Sequence, residues 1–406
     1  MSATVSGHRS IRRGFLGLLL ALSLAGAGVA MVAPDPLAAA PGERCFAETG
    51  QCIRDRFLAH WEANGGLARN GYPLTGERRE LLEDGQEYAV QYFERARFEF
   101  HPENSSPNDV LLGQFGRRVL SAAYARIHDF REYERVTAPA DRLPGTSYFP
   151  QTGHNLGGRF RDYWERNGGL AQFGFPLTEE RYDSLEDGKL YRTQYFERGR
   201  LELHPENAAP NDVLLGQFGR QILAENALLD GSFARLYQTS PGVRERLGAP
   251  IGPAVDTYGA AQPFEHGLML WRGDQRAIYV LAGSPGSGTV LQEFVGRLHF
   301  ADTWAEGQPA GGGAAPDAPG RYLPQRGFYK VWREHAVVRE ALGYATTPDE
   351  SGYTMRAQEF AGGLLIVGDT AQGRFIYAIF VQRTSNSGAP IVTYQAAWTE
   401  RPGPPR

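Results

Sequence analysis

The chain has 406 residues, 42% of them hydrophobic and 22% charged, with a formal net charge of −4. That is ordinary globular composition with room for two or three domains. Its basic residues are scattered rather than clustered, which removes the electrostatic case for nucleic acid or an anionic membrane surface as partner.

Residues 1–40 read as an export signal. A positive start is followed by an apolar run from Phe15 to Val32, with small residues around Ala25, Ala27, Ala30 and Ala40. Arg12-Arg13 followed by Gly14-Phe15-Leu16 resembles a twin-arginine signal, and a plain secretory start is the alternative. The expected location is therefore extracellular or cell-envelope associated, with a membrane engaged only if the signal is uncleaved and the apolar run spans it. Cys45 and Cys52 are the two cysteines and lie just beyond the signal, a spacing that suits a local disulfide in an oxidising compartment.

Next comes a duplication. "RDRFLAHWEANGG" and "GGRFRDYWERNGG" each place an aromatic pair at i and i+4 on a helix, Phe57 with Trp61 and Phe160 with Trp164, and end on a Gly-Gly stop. The turns "NGYPLT" and "FGFPLT" follow. Then "QYFERARFEF" from Gln91 and "QYFERGRLEL" from Gln194 alternate with period two as hairpins. "PNDVLLGQFGRRVL" is expected to be a helix opened by Pro107, with Asn108 or Asp109 near its start. The two copies align without a gap from about Phe46 to Leu120, and Tyr148 and Asn155 stand where the first copy has its cysteines.

A thinner version of the plan recurs twice. Phe233 and Tyr237 lead to "LGAP" and "AQPFEHGLMLW"; Phe328 and Trp332 lead to "LGYA" and "AQEFAGGLLIV". The expectation is an α+β fold of four tandem units, each a helix, a Gly-aromatic-Pro turn and a β-hairpin, the first two with an extra helix. The units span 41–142, 143–228, 229–305 and 321–383, with a Gly/Pro linker at 306–320 and a last strand, "IVTYQAAW", or tail at 384–406.

These turns and strands resemble the LGFP repeats of exported actinobacterial proteins, where a Leu-Gly-Phe-Pro turn precedes a Phe-acidic-x-Gly-aliphatic strand. "FGFP", "NGYP", "LGAP" and "LGYA" carry the turn, and "FEHGLML" and "FAGGLLI" the strand. The resemblance implies binding to cell-envelope polysaccharide or peptidoglycan. It departs from the family in the longer insert between turn and hairpin and in the more charged strand of the first two units, and no accompanying catalytic domain fits in the chain.

Strand alternation sends Phe98 and Phe100 to one face and Arg97, Glu99 and His101 to the other; Arg200, Glu202 and His204 repeat this. With Tyr92 and Tyr195, these residues are the candidate ligand face, and a solvated salt-bridge face is the competing reading. Glu94, Glu99, Glu197 and Glu202 are the carboxylates that a glycan hydrolase would use. A purely structural interaction protein is a further alternative. No nucleophile elbow, phosphate loop or metal motif is present, so no cofactor and no metal are expected.

Overall fold

The computed structural model describes residues 42–127, 135–283, 288–291, 298–370, 373–382 and 391–400. Residues 1–40, expected to be an export signal, lie outside them. The fold is mixed α and β, with every sheet antiparallel.

The first copy begins with a hairpin, β1 (Glu43–Phe46) and β2 (Gln51–Arg54), in which Cys45 and Cys52 face each other and are disulfide-bonded. Helices α1 (Asp55–Ala63) and α2 (Gly66–Asn70) follow. A four-stranded sheet comes next, in the order β3 (Arg78–Leu81), β4 (Glu87–Tyr92), β5 (Arg97–Phe100), β6 (Val110–Leu112), and then α3 (Phe115–Ile127). Two sequence expectations change here. The hairpin is the centre of a wider sheet, and the helix expected from Pro107 begins at Phe115, because Val110–Leu112 pairs with Phe98–Phe100 first. "VLL" fits a helical period in the sequence, but each of its residues has a ladder partner.

The second copy repeats this order: β7 (Ser147–Phe149), β8 (His154–Leu156), α4 (Gly158–Arg166), α5 (Gly169–Phe173), the sheet β9 (Arg181–Ser184), β10 (Leu190–Tyr195), β11 (Arg200–Leu203), β12 (Val213–Leu215), then α6 (Phe218–Leu228). Each copy's last helix crosses to the other copy. Arg117 N–H donates to the Glu197 carbonyl and Arg220 N–H to the Glu94 carbonyl. A Cβ on Gly116 would stand 1.8 Å from the Phe196 carbonyl oxygen, and one on Gly219 1.8 Å from that of Phe93, so "QFGR" has glycine where two backbones touch. Phe115, Val119 and Leu120 thereby share one core with Tyr195, Phe218 and Ile222.

After α7 (Gly231–Thr239) and α8 (Pro241–Leu247) the chain builds a barrel. Its strands are β13 (Val255–Phe264), β14 (Gly267–Arg272), β15 (Ala277–Ala282), β16 (Gly288–Leu291), β18 (Ser351–Phe360), β19 (Gly363–Thr370), β20 (Gly373–Gln382) and β21 (Ile391–Glu400). Short β17 (Phe300–Ala301) adds to β15. Pairing runs β13-β14-β15-β16-β21-β20-β19-β18 and back to β13, and the β16–β21 seam rests on two residue pairs. Of the two readings for the chain end, the strand is the one found. Leu270, Tyr279, Leu281, Met355 and Ile366 fill the interior. Alternate residues face outward beneath helices, which is why strands such as "AIYVLA" are apolar on both faces.

The two helix pairs are exchanged relative to chain order. α7 and α8 cover the outer face of β19 and β20 through Phe233, Leu236, Leu247, Leu365 and Phe380. α9 (Arg326–Glu334) and α10 (Ala336–Leu342) cover the earlier strands β14 and β15 through Phe328, Leu342, Met269 and Val280. The turns follow suit. Pro250 bridges Phe360 and Ala345 bridges Phe264, whereas in the first two copies Pro73 bridges Phe93 and Pro176 bridges Phe196. Residues 306–320, expected as a linker, fold back on 321–326: Leu323 N–H donates to Gly313 O and Arg326 N–H to Ala310 O.

One detail links all four turns. The second aromatic of each helix donates to the carbonyl of the turn glycine: Trp61 to Gly71 (3.1 Å), Trp164 to Gly174 (3.3 Å), Tyr237 to Gly248 (2.8 Å) and Trp332 to Gly343 (2.8 Å). Each of those glycines has a positive φ, between 66° and 78°, where a side chain is strained.

Candidate functional site

The repeated motif "YFER-x-R" gives nearly every polar group to the fold. Phe93 and Phe196 are fully buried. Glu94 Oε2 accepts the Tyr72 N–H (3.2 Å) and Glu197 Oε2 the Phe175 N–H (3.1 Å), each locking the turn after its glycine. Arg95 and Arg198 donate to the Leu67 and Leu170 carbonyls within α2 and α5. Two of the carboxylates considered for hydrolysis are thus turn locks.

The alternation of the next strand is as expected, but the polar face is covered. Arg97, 3% exposed, lies beneath the Phe115 ring with its Cζ 5.4 Å from the ring centre. It bonds Glu99 Oε1 through Nε (2.9 Å) and Nη2 (2.6 Å), and also reaches Glu83 (3.1 Å) and the Tyr92 hydroxyl (3.4 Å). Burial works against this charge, but Glu99, Tyr92 and Glu83 outweigh it and hold the guanidinium well above its ordinary value. Arg200 repeats the set with Glu202, Glu186 and Tyr195 beneath Phe218. The expected open ligand face is corrected accordingly: Tyr92, Arg97, Glu99, Tyr195, Arg200 and Glu202 are all buried. The reason is the late start of α3 and α6, which places Phe115 and Phe218 over the sheet.

His101 and His204 stand at the edge of this network. His101 lies between Glu103 Oε1 (2.8 Å) and Glu99 Oε2 (3.4 Å) and against the Tyr88 ring, 4.1 Å away; His204 lies between Glu206 (2.9 Å) and Glu202 (3.3 Å) against Tyr191. The bond to Glu99, offset in part by burial and joined by Glu103, raises the His101 pKa. Tyr88 is pushed up to about 12 by its bond to Asp84. Among the described residues, the grouping close enough for a metal ion is Glu43 with Cys45 and Cys52, whose sulfurs are taken by the disulfide.

An open site lies elsewhere, on the outer face of the barrel. A cleft of about 580 Å³ runs between β13, β14 and β18 on one side and the start of α9 with residues 302–304 on the other. Trp271, Trp304 and Tyr258 supply aromatic faces, and Tyr258 is 78% exposed. Asp302, Arg326 and Glu350 supply the polar groups. Asp302 accepts the Trp271 indole N–H at 3.0 Å and the Trp304 backbone N–H at 3.2 Å, so one carboxylate positions both tryptophans. Arg326 pairs with Glu350 at 2.5 Å across the mouth.

The cleft exists because side chains are missing. Trp271 and Ala260 are cross-strand partners, and Ala260 pairs in turn with Gly352, so the floor beside the indole is shallow. When "AQPF" is aligned with "AQEF", Arg356 stands at the position of Ala260. Arg356 is held by Asp230 (3.1 Å) and Asp256 (2.6 and 2.7 Å), and Val367 takes the place of Trp271. The equivalent trough is therefore filled on one side and empty on the other. Sequence reasoning passes over Trp271 and Trp304 because it searches what the units share, and these tryptophans are where they differ.

No family model, curated relative or solved structure matches the chain.

Proposed function

We propose that the chain is an exported, non-enzymatic protein that binds cell-wall or extracellular glycan through the cleft of Trp271, Trp304 and Tyr258. The observation that carries this reading is the combination of three indole and phenol faces with Asp302, Arg326 and Glu350 in a cleft of about 580 Å³. Sugar rings present apolar C–H faces rimmed by hydroxyls. A site for them needs flat aromatic surfaces flanked by a few fixed acceptors and donors, and this cleft has both.

The companion reading, four divergent units on the plan of the LGFP repeat, is supported by the shared aromatic-to-glycine bond at Gly71, Gly174, Gly248 and Gly343. The ligand suggested by that likeness is envelope polysaccharide or peptidoglycan. Export rests on the sequence of residues 1–40 alone.

The test is retention of the mature chain on purified cell-wall polysaccharide and on peptidoglycan, followed by the same assay on Trp304→Ala and Tyr258→Ala. Binding is expected to weaken about tenfold or more in each variant, the scale of a central aromatic anchor. Retention on neither material, or retention indifferent to both substitutions, rejects the reading.

A further inference from the structure

A second cleft, of about 340 Å³, lies where α3 meets α8, and its lining is rich in arginine: Arg117, Arg118, Arg198 and Arg244. Three of these carry a buried Nε–H with no hydrogen-bond partner among the described residues, namely Arg118, Arg198 and Arg244. Arg118 is only 6% exposed; its Nη2 donates to Asn226 Oδ1 at 2.7 Å and lies 3.5 Å from Glu225. Arg244 reaches Glu83 at a long 3.5 Å and the Gln238 carbonyl at 3.3 Å.

The carboxylates nearby have duties of their own. Glu83 also serves Arg97 at 3.1 Å, Glu99 is shared by Arg97 and His101, and Asp84 is bonded by the Tyr88 hydroxyl and the Gln86 N–H. Glu245 stands on the lining as the remaining negative charge. Burial and the neighbouring Arg118 both act against the charge of Arg244, which Glu83 offsets only in part.

The second copy provides an internal control. Aligning the copies places Gln221 at the position of Arg118, and Gln221 bonds Glu225 within its own helix at 3.0 Å. The second copy thus carries a neutral amide where the first has Arg118, and the arginine is a feature of the first copy.

We propose that this cleft binds a small oxyanion-bearing ligand, a carboxylate or phosphate group seated between Arg118, Arg198 and Arg244, whose charges the surrounding carboxylates meet only at long range. Guanidinium forks suit both groups, since each offers several acceptor oxygens to converging donors. The site is separate from the aromatic cleft and does not depend on what binds there.

The experiment is calorimetric titration of the full chain with inorganic phosphate and, separately, with succinate at low salt. Saturable binding of at least one probe is expected, and which one saturates distinguishes phosphoryl from carboxylate recognition. Arg118→Gln, which copies the amide that the chain itself carries at Gln221, should weaken binding about tenfold or more, while Trp304→Ala should leave it unchanged. Should Arg118→Gln fold poorly, Glu245→Gln offers the opposite sign: removal of a negative charge from the lining should tighten binding severalfold. Absence of saturable binding by both probes, or affinities unmoved in both the Arg118 and Glu245 variants, overturns the proposal.

Discussion

At the scale of single residues, four buried glutamines do as much as the aromatics. Gln91, Gln194, Gln262 and Gln358 are each almost fully buried and donate to the backbone that leaves a turn, at Thr75, Thr178, Thr347 and Gly252. Gln358 also reaches the Leu228 carbonyl and accepts the Asp230 N–H. Gln358→Leu strips three backbone groups of their partner and should cost about 2–4 kcal/mol, read as a lower denaturant midpoint with unchanged slope. The disulfide is more dispensable. Where the first copy has Cys45–Cys52, the second has Tyr148 opposite Asn155, and the Asn155 side chain holds the Leu143 N–H and the Asp141 carbonyl instead. Cys45→Ser with Cys52→Ser should lower stability by roughly 2.5 kcal/mol and leave the fold intact, so a native-like circular dichroism spectrum is expected. His101 sets a pH dependence. Its folded pKa is raised above the unfolded value near 6.5, so its contribution is complete below about that pH and is lost as pH rises through the folded value. His101→Gln should flatten that decline in a melting series taken across neutral pH.

At the scale of elements, the helices with paired aromatics and the glycine turns are legible in the sequence because their determinants are local. Spacing of three and four along a helix and the φ preference of glycine both act within a few residues. What is not legible comes from pairing across distance. Val110–Leu112 is a strand because Phe98–Phe100 offers it a ladder, and Phe115 is a lid because the helix then starts late. The alternation of Arg97, Glu99 and His101 is plain in the sequence, but the covering of that face is invisible there, since alternation says which way a side chain points and nothing about what lies beyond it. The exchange of helix pairs on the barrel is hidden for the same reason. It has a testable result: residues 229–320 alone hold α7 and α8 without β19 and β20, and β14 and β15 without α9 and α10. That fragment should lack a dispersed amide NMR spectrum, whereas residues 229–406 should show one.

At the scale of the whole molecule, residues 39–406 form one compact unit, yet the hydrophobic clusters divide cleanly. Among the described residues, three lie within 46–223 and three within 229–380. What joins the two sets is largely polar, with Arg118 over the Tyr237 ring and Arg244 at Glu83. Residues 42–228 should therefore fold when made separately, keeping a cooperative thermal transition and losing the oxyanion cleft, which needs Arg244 from the other half. Absence of a cooperative transition would show that the polar junction is required for the first half to fold.

The exchanged helix pairs also impose a timetable on the nascent chain. α9 and α10 emerge from the ribosome after β14 and β15, so their partner is already waiting. α7 and α8 emerge more than a hundred residues before Phe380. At roughly 5–20 residues per second, Phe233, Leu236 and Leu247 wait about 7–30 seconds for β20 in every round of synthesis. This interval is the period in which a holding chaperone would be recruited or an early collapse would trap the chain. Proteolysis of ribosome-bound chains stopped at successive lengths should find α7 and α8 cleavable until β20 has emerged; protection before that point would mean that another surface shelters them first.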